Sequence, residues 1–377
     1  MIIRQLRLQD YRNYPCLTFH PSPGITVLAG QNGAGKTNLL EAIHLCCLGR
    51  SHRTSQDREL IRQGESCAGV QLKVERQDGR HEVVVKLFSQ QRRLKQILIN
   101  GKAAARIGEL MGQVTCVMFS PEDLELIKGG PALRRRFMDM QLSQLRPSYF
   151  YALQKYVSAL NHRNALLRTM AFPGANSGMK EQIEVWDEQL AREGAAIVIH
   201  RRWFSDILRE EARKNYAYIS GVQEEPFEAE YDGMLSKAEK PYEAMLEGLL
   251  RTRSEDMRRS STHFGPHRDD LSLTLKGREM KTFASQGQMR TAALALKMSQ
   301  LDLMEKESGE APVLLLDDVM SELDPKRREL LLQRIEGVQT FVTCTDRSDL
   351  SGAKAQTVIE VSLDIKSGCA SIHAAES

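Results

Sequence analysis

Apolar and polar positions along this chain fall into three textures. At the start, Met1-Ile2-Ile3-Arg4-Gln5-Leu6-Arg7 alternates with the period of a half-buried strand. Ile25–Ala29 is a short, largely apolar run ending on Gly30, which predicts a buried strand. A helical run follows from Asn38 to Leu48 and stops at Gly49. Val70–Glu75 and Glu82–Phe88 alternate on either side of Asp78-Gly79, a hairpin signal, and Gln96–Ile99 before Asn100-Gly101 begins another. The opening segment therefore reads as an antiparallel β region carrying one helix.

From about Glu122 to Arg259 the texture turns long, charged and helical, with Tyr149–Leu167 and Glu181–Asn215 the longest periodic stretches. A Pro/Gly/Asn/Ser break, Phe172 to Gly178, separates them. After Pro266 the α/β texture returns, with strands expected at Leu271–Leu275, Val313–Leu316, Thr340–Thr343 and Val358–Val361. This layout predicts one discontinuous α/β domain, residues 1–120 and 262–377, interrupted by a helical insertion over 121–261.

Composition narrows the class. With 377 residues, 41% hydrophobic and 27% charged, the chain can bury a sizeable core. A net charge of +3 confines any nucleic-acid surface to a local patch. No run approaches the ~20 apolar residues a bilayer requires, and the N-terminus lacks a signal-peptide pattern, so a cytoplasmic protein without a membrane partner is expected. Seven cysteines without C-x-x-C spacing argue against a disulfide framework and a zinc site. Cys46, Cys47, Cys116 and Cys344 lie in apolar runs and read as buried thiols.

The strongest chemical signal is Gly30-Gln31-Asn32-Gly33-Ala34-Gly35-Lys36-Thr37, followed by Asn38, which fits G-x-x-x-x-G-K-[ST] between a strand and a helix. Its glycines let backbone N–H groups converge on phosphate oxygens at a helix N-terminus. Lys36 is expected to reach the β- and γ-phosphates of ATP, and the Thr37 hydroxyl to meet Mg²⁺. Val313-Leu314-Leu315-Leu316-Asp317-Asp318 is an apolar strand ending in two carboxylates, the Walker B pattern. Asp317 is placed to hold Mg²⁺ through its water shell, and Asp318 to orient or deprotonate the attacking water.

Lys36 and Asp317 stand near opposite ends of the chain with the helical segment between them. Small-molecule kinases and motor-type ATPases generally place these elements closer together, whereas the ATP-binding-cassette (ABC) class separates them. That class also needs a signature at a helix start shortly before Walker B. Ser285-Gln286-Gly287-Gln288-Met289-Arg290 occupies that place, ahead of the helical run Thr291–Met298. Serine there is ordinary capping, but the glycine and two glutamines exceed what a cap needs. The glycine lets backbone approach closely, and a helix N-terminus favours an anion.

Together these residues resemble the RecF family of bacterial recombination-repair ATPases, related to the heads of Rad50 and structural-maintenance-of-chromosomes proteins. The resemblance runs in order through Leu8–Tyr14, the P-loop, Ser51–Thr54, Phe119–Asp139, Gly265–Leu271, the signature and Leu314–Asp324. It implies an ABC-type P-loop head with an inserted helical arm, and an ATP-dependent head-to-tail homodimer around two ATP molecules. Ser285 and Gly287, with Gln288 beside them, would cover the γ-phosphate held by the other copy, and Asp324 would lie in a loop crossing the interface. Arg12, Asn13 and Tyr14 are near enough in the resemblance to propose adenine contact, with edge-strand surface residues as the alternative. It further implies DNA as a partner, single-stranded and duplex with their gap junctions, and RecR and RecO acting to direct RecA.

Three departures from the wider ABC class stand out. Asp318 replaces the usual catalytic glutamate, one methylene shorter, which implies slow hydrolysis suited to a switch. Thr343-Cys344-Thr345-Asp346 carries no switch histidine, and Phe119-Ser120-Pro121-Glu122-Asp123 carries no lid glutamine.

Basic residues cluster at Arg134–Arg136, His162-Arg163 with Arg168, Arg201-Arg202, Arg251 to Arg259, and Arg50, Arg53 and Arg58. They read either as solvated helix faces, because acidic residues interleave, or, with the resemblance, as contacts to DNA phosphates. His263, His267, Asp269 and Asp270 could hold a metal, but a turn with structural ion pairs is the preferred reading. A P-loop small-molecule kinase and a purely structural chromosome-associated head are the competing functions. The distant Walker B disfavours the first, and an insertion too short for a long coiled coil disfavours the second.

Overall fold

The computed structural model describes residues 1–90, 94–170, 178–345, 357–364 and 367–374; positions 172–177 of the expected interhelical break, and Asp346, lie outside the described residues. The chain divides into two units, Met1–Asp123 with Lys297–Ser377, and Leu124–Leu296.

The first unit holds two six-stranded sheets. One is antiparallel, in the order Tyr14–Phe19, Ile2–Tyr11, Cys67–Arg76, Gly79–Phe88, Lys95–Ile99 and Lys102–Ala103. Both expected hairpins form, with Arg76 opposite Gly79 and Ile99 opposite Lys102. The second turns through Asn100 and Gly101 at φ 50° and 78°, the paired positive values that a two-residue hairpin turn needs.

The other sheet runs Cys369–Ala374, Thr357–Asp364, Ile25–Ala29, Thr340–Cys344, Val313–Leu316 and Cys116–Phe119. All pairings are parallel except the final hairpin, Thr357–Asp364 with Cys369–Ala374. Ile25–Ala29, Val313–Leu316 and Thr340–Cys344 are buried at every position. Val313–Leu316 is covered on both faces and reads as a continuous apolar run, whereas the other two bury threonines, Thr26, Thr340 and Thr343, among their apolar residues. The helix Lys36–Leu48 touches strands of both sheets, and its buried residues therefore lie all around it. Cys46, Cys47, Cys116 and Cys344 are buried free thiols; burial pushes Cys46 and Cys47 up from the ordinary thiol range.

The second unit contains the helices Pro131–Leu145, Pro147–Met170, Gly178–Ser220 and Pro241–Arg259, and a three-stranded antiparallel sheet. Two expectations change here. Phe227–Asp232 is a strand inside the region read as wholly helical, and it pairs with Asp270–Leu275 from Asp232 opposite Asp270 to Phe227 opposite Leu275. Leu271–Leu275 thereby joins this unit instead of the P-loop sheet. The return to the first unit falls at Lys297, where texture placed it near 262; the pairing keeps Asp270–Leu275 in the second unit. That junction lies within one continuous helix, Gln286–Ser308. Among the described residues, no helix is long and apolar enough to cross a membrane.

Candidate functional site

The P-loop begins where the buried strand Ile25–Ala29 ends. A Cβ on Gly30 would lie 2.2 Å from the carbonyl oxygen of Val361, so no larger residue fits without moving backbone. Gly33 and Gly35 have φ of 83° and 114°, values that bend the loop back toward the helix and suit glycine alone. Lys36 is buried, and its Nζ donates to the carbonyls of Gly30 at 2.6 Å and Gln31 at 3.2 Å. Asn32 accepts from the Thr345 hydroxyl at 3.3 Å, and Ala34 donates its backbone N–H to the carbonyl of Gln31.

Thr37, the second residue of the helix, donates its hydroxyl to Asp317 Oδ1 at 2.9 Å, although the two stand 280 positions apart. Thr343, in the strand next to Walker B, donates to the same oxygen at 2.9 Å. Burial pushes the Asp317 carboxyl up, and the Thr343 and Thr37 hydroxyls oppose that rise. Asp318 follows in a left-handed conformation, φ 50°, with its backbone N–H bonded to Thr343 Oγ1 at 2.9 Å. Lys36, Thr37, Asp317 and Asp318 are thus brought to one end of the parallel sheet, outside the C-terminal ends of its strands.

Sequence reasoning passed over the brace behind this loop. Asn13 donates to the Ala34 carbonyl at 3.2 Å and accepts from Asn38 at 2.8 Å, and the Tyr14 hydroxyl donates to the Gly35 carbonyl at 3.2 Å. Arg12 holds the buried Glu41 of the P-loop helix through two bonds of 2.8 Å, and Ser51 donates to the same carboxylate at 2.5 Å. Arg12, Asn13 and Tyr14, considered above for adenine contact, are bonded to the loop and to its helix. The signal was the proximity of "RNY" and "SHRT" to one P-loop in a single resemblance.

In the second unit, Ser285 and Gln288 form a reciprocal cap. The Ser285 backbone N–H donates to Gln288 Oε1 at 2.9 Å, and the Gln288 N–H to Ser285 Oγ at 3.3 Å. This S-x-x-Q capping box gives Gln288 the local purpose that the sequence reading denied it. Ser285 and Gly287 remain exposed at the helix start. In the first unit, Asp324 caps the helix Pro325–Arg334 by accepting the Arg327 N–H.

Several arginines expected on DNA prove internal. Arg163 is wholly buried, bonded to Asp187 at 2.6 Å, Asp256 at 2.7 Å and Thr262 at 2.8 Å. Arg201 is buried against Asp139, Tyr149 and the Pro266 carbonyl. Arg134 forms a two-bond pair with Asp270, and Arg202 donates to the Leu235 and Ala238 carbonyls. The histidines join the same framework: His263 meets Asp256 at 2.9 Å and His267 meets the Tyr156 hydroxyl at 2.7 Å. No group of three or more potential metal ligands occurs among the described residues. Arg168, Arg258 and Arg259 stay exposed.

A P-loop and a two-carboxylate strand joined across a buried parallel sheet, with a capped signature helix elsewhere in the chain, form an ABC-type ATPase head. The profile of the RecF/RecN/SMC N terminal domain family matches residues 2–367, and the chain belongs to this family, on its RecF branch. It is 43% identical over 357 residues to the DNA replication and repair protein RecF of Symbiobacterium thermophilum, covering 93% of each chain. Its identity to the RecF of Alkaliphilus oremlandii is 40% over 361 residues, covering 94% of this chain and 96% of the relative. A solved structure of the recombination mediator protein RecF-ATPrS in the RecFOR pathway matches with a TM-score of 0.89 at 34% identity, covering 99% of this chain and 98% of that one. An Smc head domain from Pyrococcus furiosus shares the fold alone, with a TM-score of 0.58 at 17% identity, covering 100% of this chain and 96% of that one.

Proposed function

We propose that this chain is an ATP-switched protein of DNA replication and repair, which dimerises head to tail on ATP and holds DNA while dimeric. The contact between Thr37 and Asp317 carries this reading, because it brings together, across 280 positions of sequence, the two side chains expected to meet Mg²⁺. The residues present fit such a group. Gly33 and Gly35 turn loop backbone toward a phosphate, Lys36 lies in the loop mouth, and Thr37 and Asp317 supply the hard oxygen ligands that Mg²⁺ prefers. Thr37 and Asp317 would hold the Mg²⁺, which would supply positive charge against the phosphates.

In this reading the loop from Gly30 to Asn38 cradles the phosphates, Lys36 reaches the β- and γ-phosphates, and Asp318 orients the attacking water. Ser285 and Gly287 of one copy cover the γ-phosphate of the other, and Gln288 holds that helix start in shape. Asp324 belongs to the loop crossing between copies. ATP must favour the closed dimer over separate monomers, since a ligand of equal affinity for both shifts nothing. DNA contact is directed at phosphates, and RecR and RecO are the partners through which RecA is directed to gapped DNA. Support comes from relatives named for DNA replication and repair, and from solved RecF structures with ATP.

The test is sedimentation of wild type and Ser285→Arg with ATP, with and without duplex DNA. Wild type is expected to dimerise with ATP and the variant to stay monomeric. A monomeric wild type, or a variant that dimerises equally well, refutes the interface.

A further inference from the structure

The strand Thr340–Cys344 ends beside both acidic residues of Walker B. Val342 pairs with Leu316, so the next residue, Thr343, comes level with Asp317. Its side chain is fully buried. One hydroxyl makes two bonds of different sense. It donates to Asp317 Oδ1 at 2.9 Å and accepts the Asp318 backbone N–H at 2.9 Å.

Two features make this more than a satisfied buried threonine. Asp317 Oδ1 gathers hydroxyl protons from both Thr37 and Thr343, one from the P-loop helix and one from the neighbouring strand. Both donors converge on Oδ1, and this fixes where the carboxylate's other oxygen points. Asp318 meanwhile adopts φ 50° and ψ 20°, a region that a non-glycine residue keeps only where its surroundings determine it. The bond from its N–H to Thr343 is such a determinant.

We infer that Thr343 is the positioning residue of the metal–nucleotide site: its hydroxyl sets the Asp317 carboxylate and the left-handed backbone of Asp318 together. The assignment rests on the nucleotide-binding reading above. A valine at this position keeps the shape of the side chain but can neither donate to Asp317 nor accept from Asp318. Serine keeps both bonds.

The experiment compares wild type, Thr343→Val and Thr343→Ser in titrations with a fluorescent ATP analogue, with and without Mg²⁺. Amide hydrogen exchange at Asp318 is followed in the nucleotide-free proteins. Thr343→Val is expected to match wild type without Mg²⁺ and to lose roughly tenfold to a hundredfold of the affinity that Mg²⁺ adds, as for other groups that orient a metal ligand. Its Asp318 amide should exchange faster, and Thr343→Ser should preserve both properties. If thermal unfolding shows that Thr343→Val does not fold, Thr343→Ala serves as the second hydroxyl-free variant. A hydroxyl-free variant with the full Mg²⁺ gain and a protected Asp318 amide overturns the assignment alone, as does a serine variant no better than valine. Wild type that binds no nucleotide under any condition overturns the functional reading and this assignment with it.

Discussion

Arg12 grips Glu41 with two hydrogen bonds of 2.8 Å, fastening the end of the first long strand to the middle of the P-loop helix. The carboxylate is wholly buried and also receives Ser51, so three separated segments meet on one charge. Removing one partner of a buried pair strands the other. Glu41→Ala is therefore expected to cost about 3 kcal/mol of stability, read by denaturant unfolding. Burial opposes the charge on Glu41, but Arg12 and Ser51 outweigh it and hold the carboxyl below its ordinary range. A carboxyl depressed in the folded state adds stability above its unfolded value and loses it as pH falls through the folded one. Glu41→Gln should accordingly flatten the acid side of the stability–pH curve; an unchanged acid limb refutes the linkage.

Ser285 and Gln288 separate capping from interface. Gln288→Glu keeps the capping box, so its melting temperature should match wild type. If this helix start faces the other copy's phosphate, the added negative charge should weaken ATP-dependent dimerisation at least tenfold. Equal dimerisation by sedimentation removes Gln288 from the interface. Ser285→Ala, by contrast, should cost about 1 kcal/mol of local helix stability as a lost cap.

Arg163 and Arg258 look alike in sequence but should behave oppositely. Arg163→Ala leaves Asp187 and Asp256 buried without their shared cation and is expected to cost about 3–5 kcal/mol, seen in thermal or urea unfolding. Arg258→Glu with Arg259→Glu changes exposed charges and should alter stability by no more than about 0.5 kcal/mol. If these two touch DNA phosphates, the double variant should bind duplex DNA more weakly, and the slope of log affinity against log salt should fall by roughly 0.9 per lost contact. An unchanged slope places the DNA elsewhere.

Gly30→Ala would drive a methyl group into the Val361 carbonyl. Overpacking of this kind should destabilise the protein by about 1–3 kcal/mol and abolish nucleotide binding by distorting the loop. Normal binding to a fluorescent ATP analogue refutes the steric account.

Asp318→Asn keeps size while removing the carboxylate proposed to act as the base. ATP turnover should fall by roughly 10²–10⁴ as for loss of a general base, with ATP-dependent dimers persisting in sedimentation. Normal turnover removes Asp318 from the chemistry.

The P-loop and Walker B are legible because each is a local pattern: glycine spacing in one, an apolar run closed by two carboxylates in the other. Thr343 is not, because its place beside Asp317 depends on register across two strands that meet only in the sheet. Phe227–Asp232 hides for a different reason. Its burial alternates within a strongly charged neighbourhood, and six such residues do not outweigh long helical patterns on both sides. Arginine clusters mislead most, since helical spacing is the same whether a guanidinium faces water or the buried Asp187. Gln288 seemed surplus only because its partner is the backbone of Ser285.

The position of Ile25–Ala29 in its sheet sets an order of events during synthesis. This strand leaves the ribosome early, but both its neighbours, Thr340–Cys344 and Thr357–Asp364, are made near the end of the chain. Ile25–Ala29 must therefore wait as an unpaired, largely apolar segment while the contiguous unit Leu124–Leu296 can already form. A chain halted at residue 339, before either neighbour is made, should give a protease-resistant helical unit and a cleavable P-loop region. Nascent copies should depend on chaperones until the last strands arrive, and no half-made copy should compete for ATP.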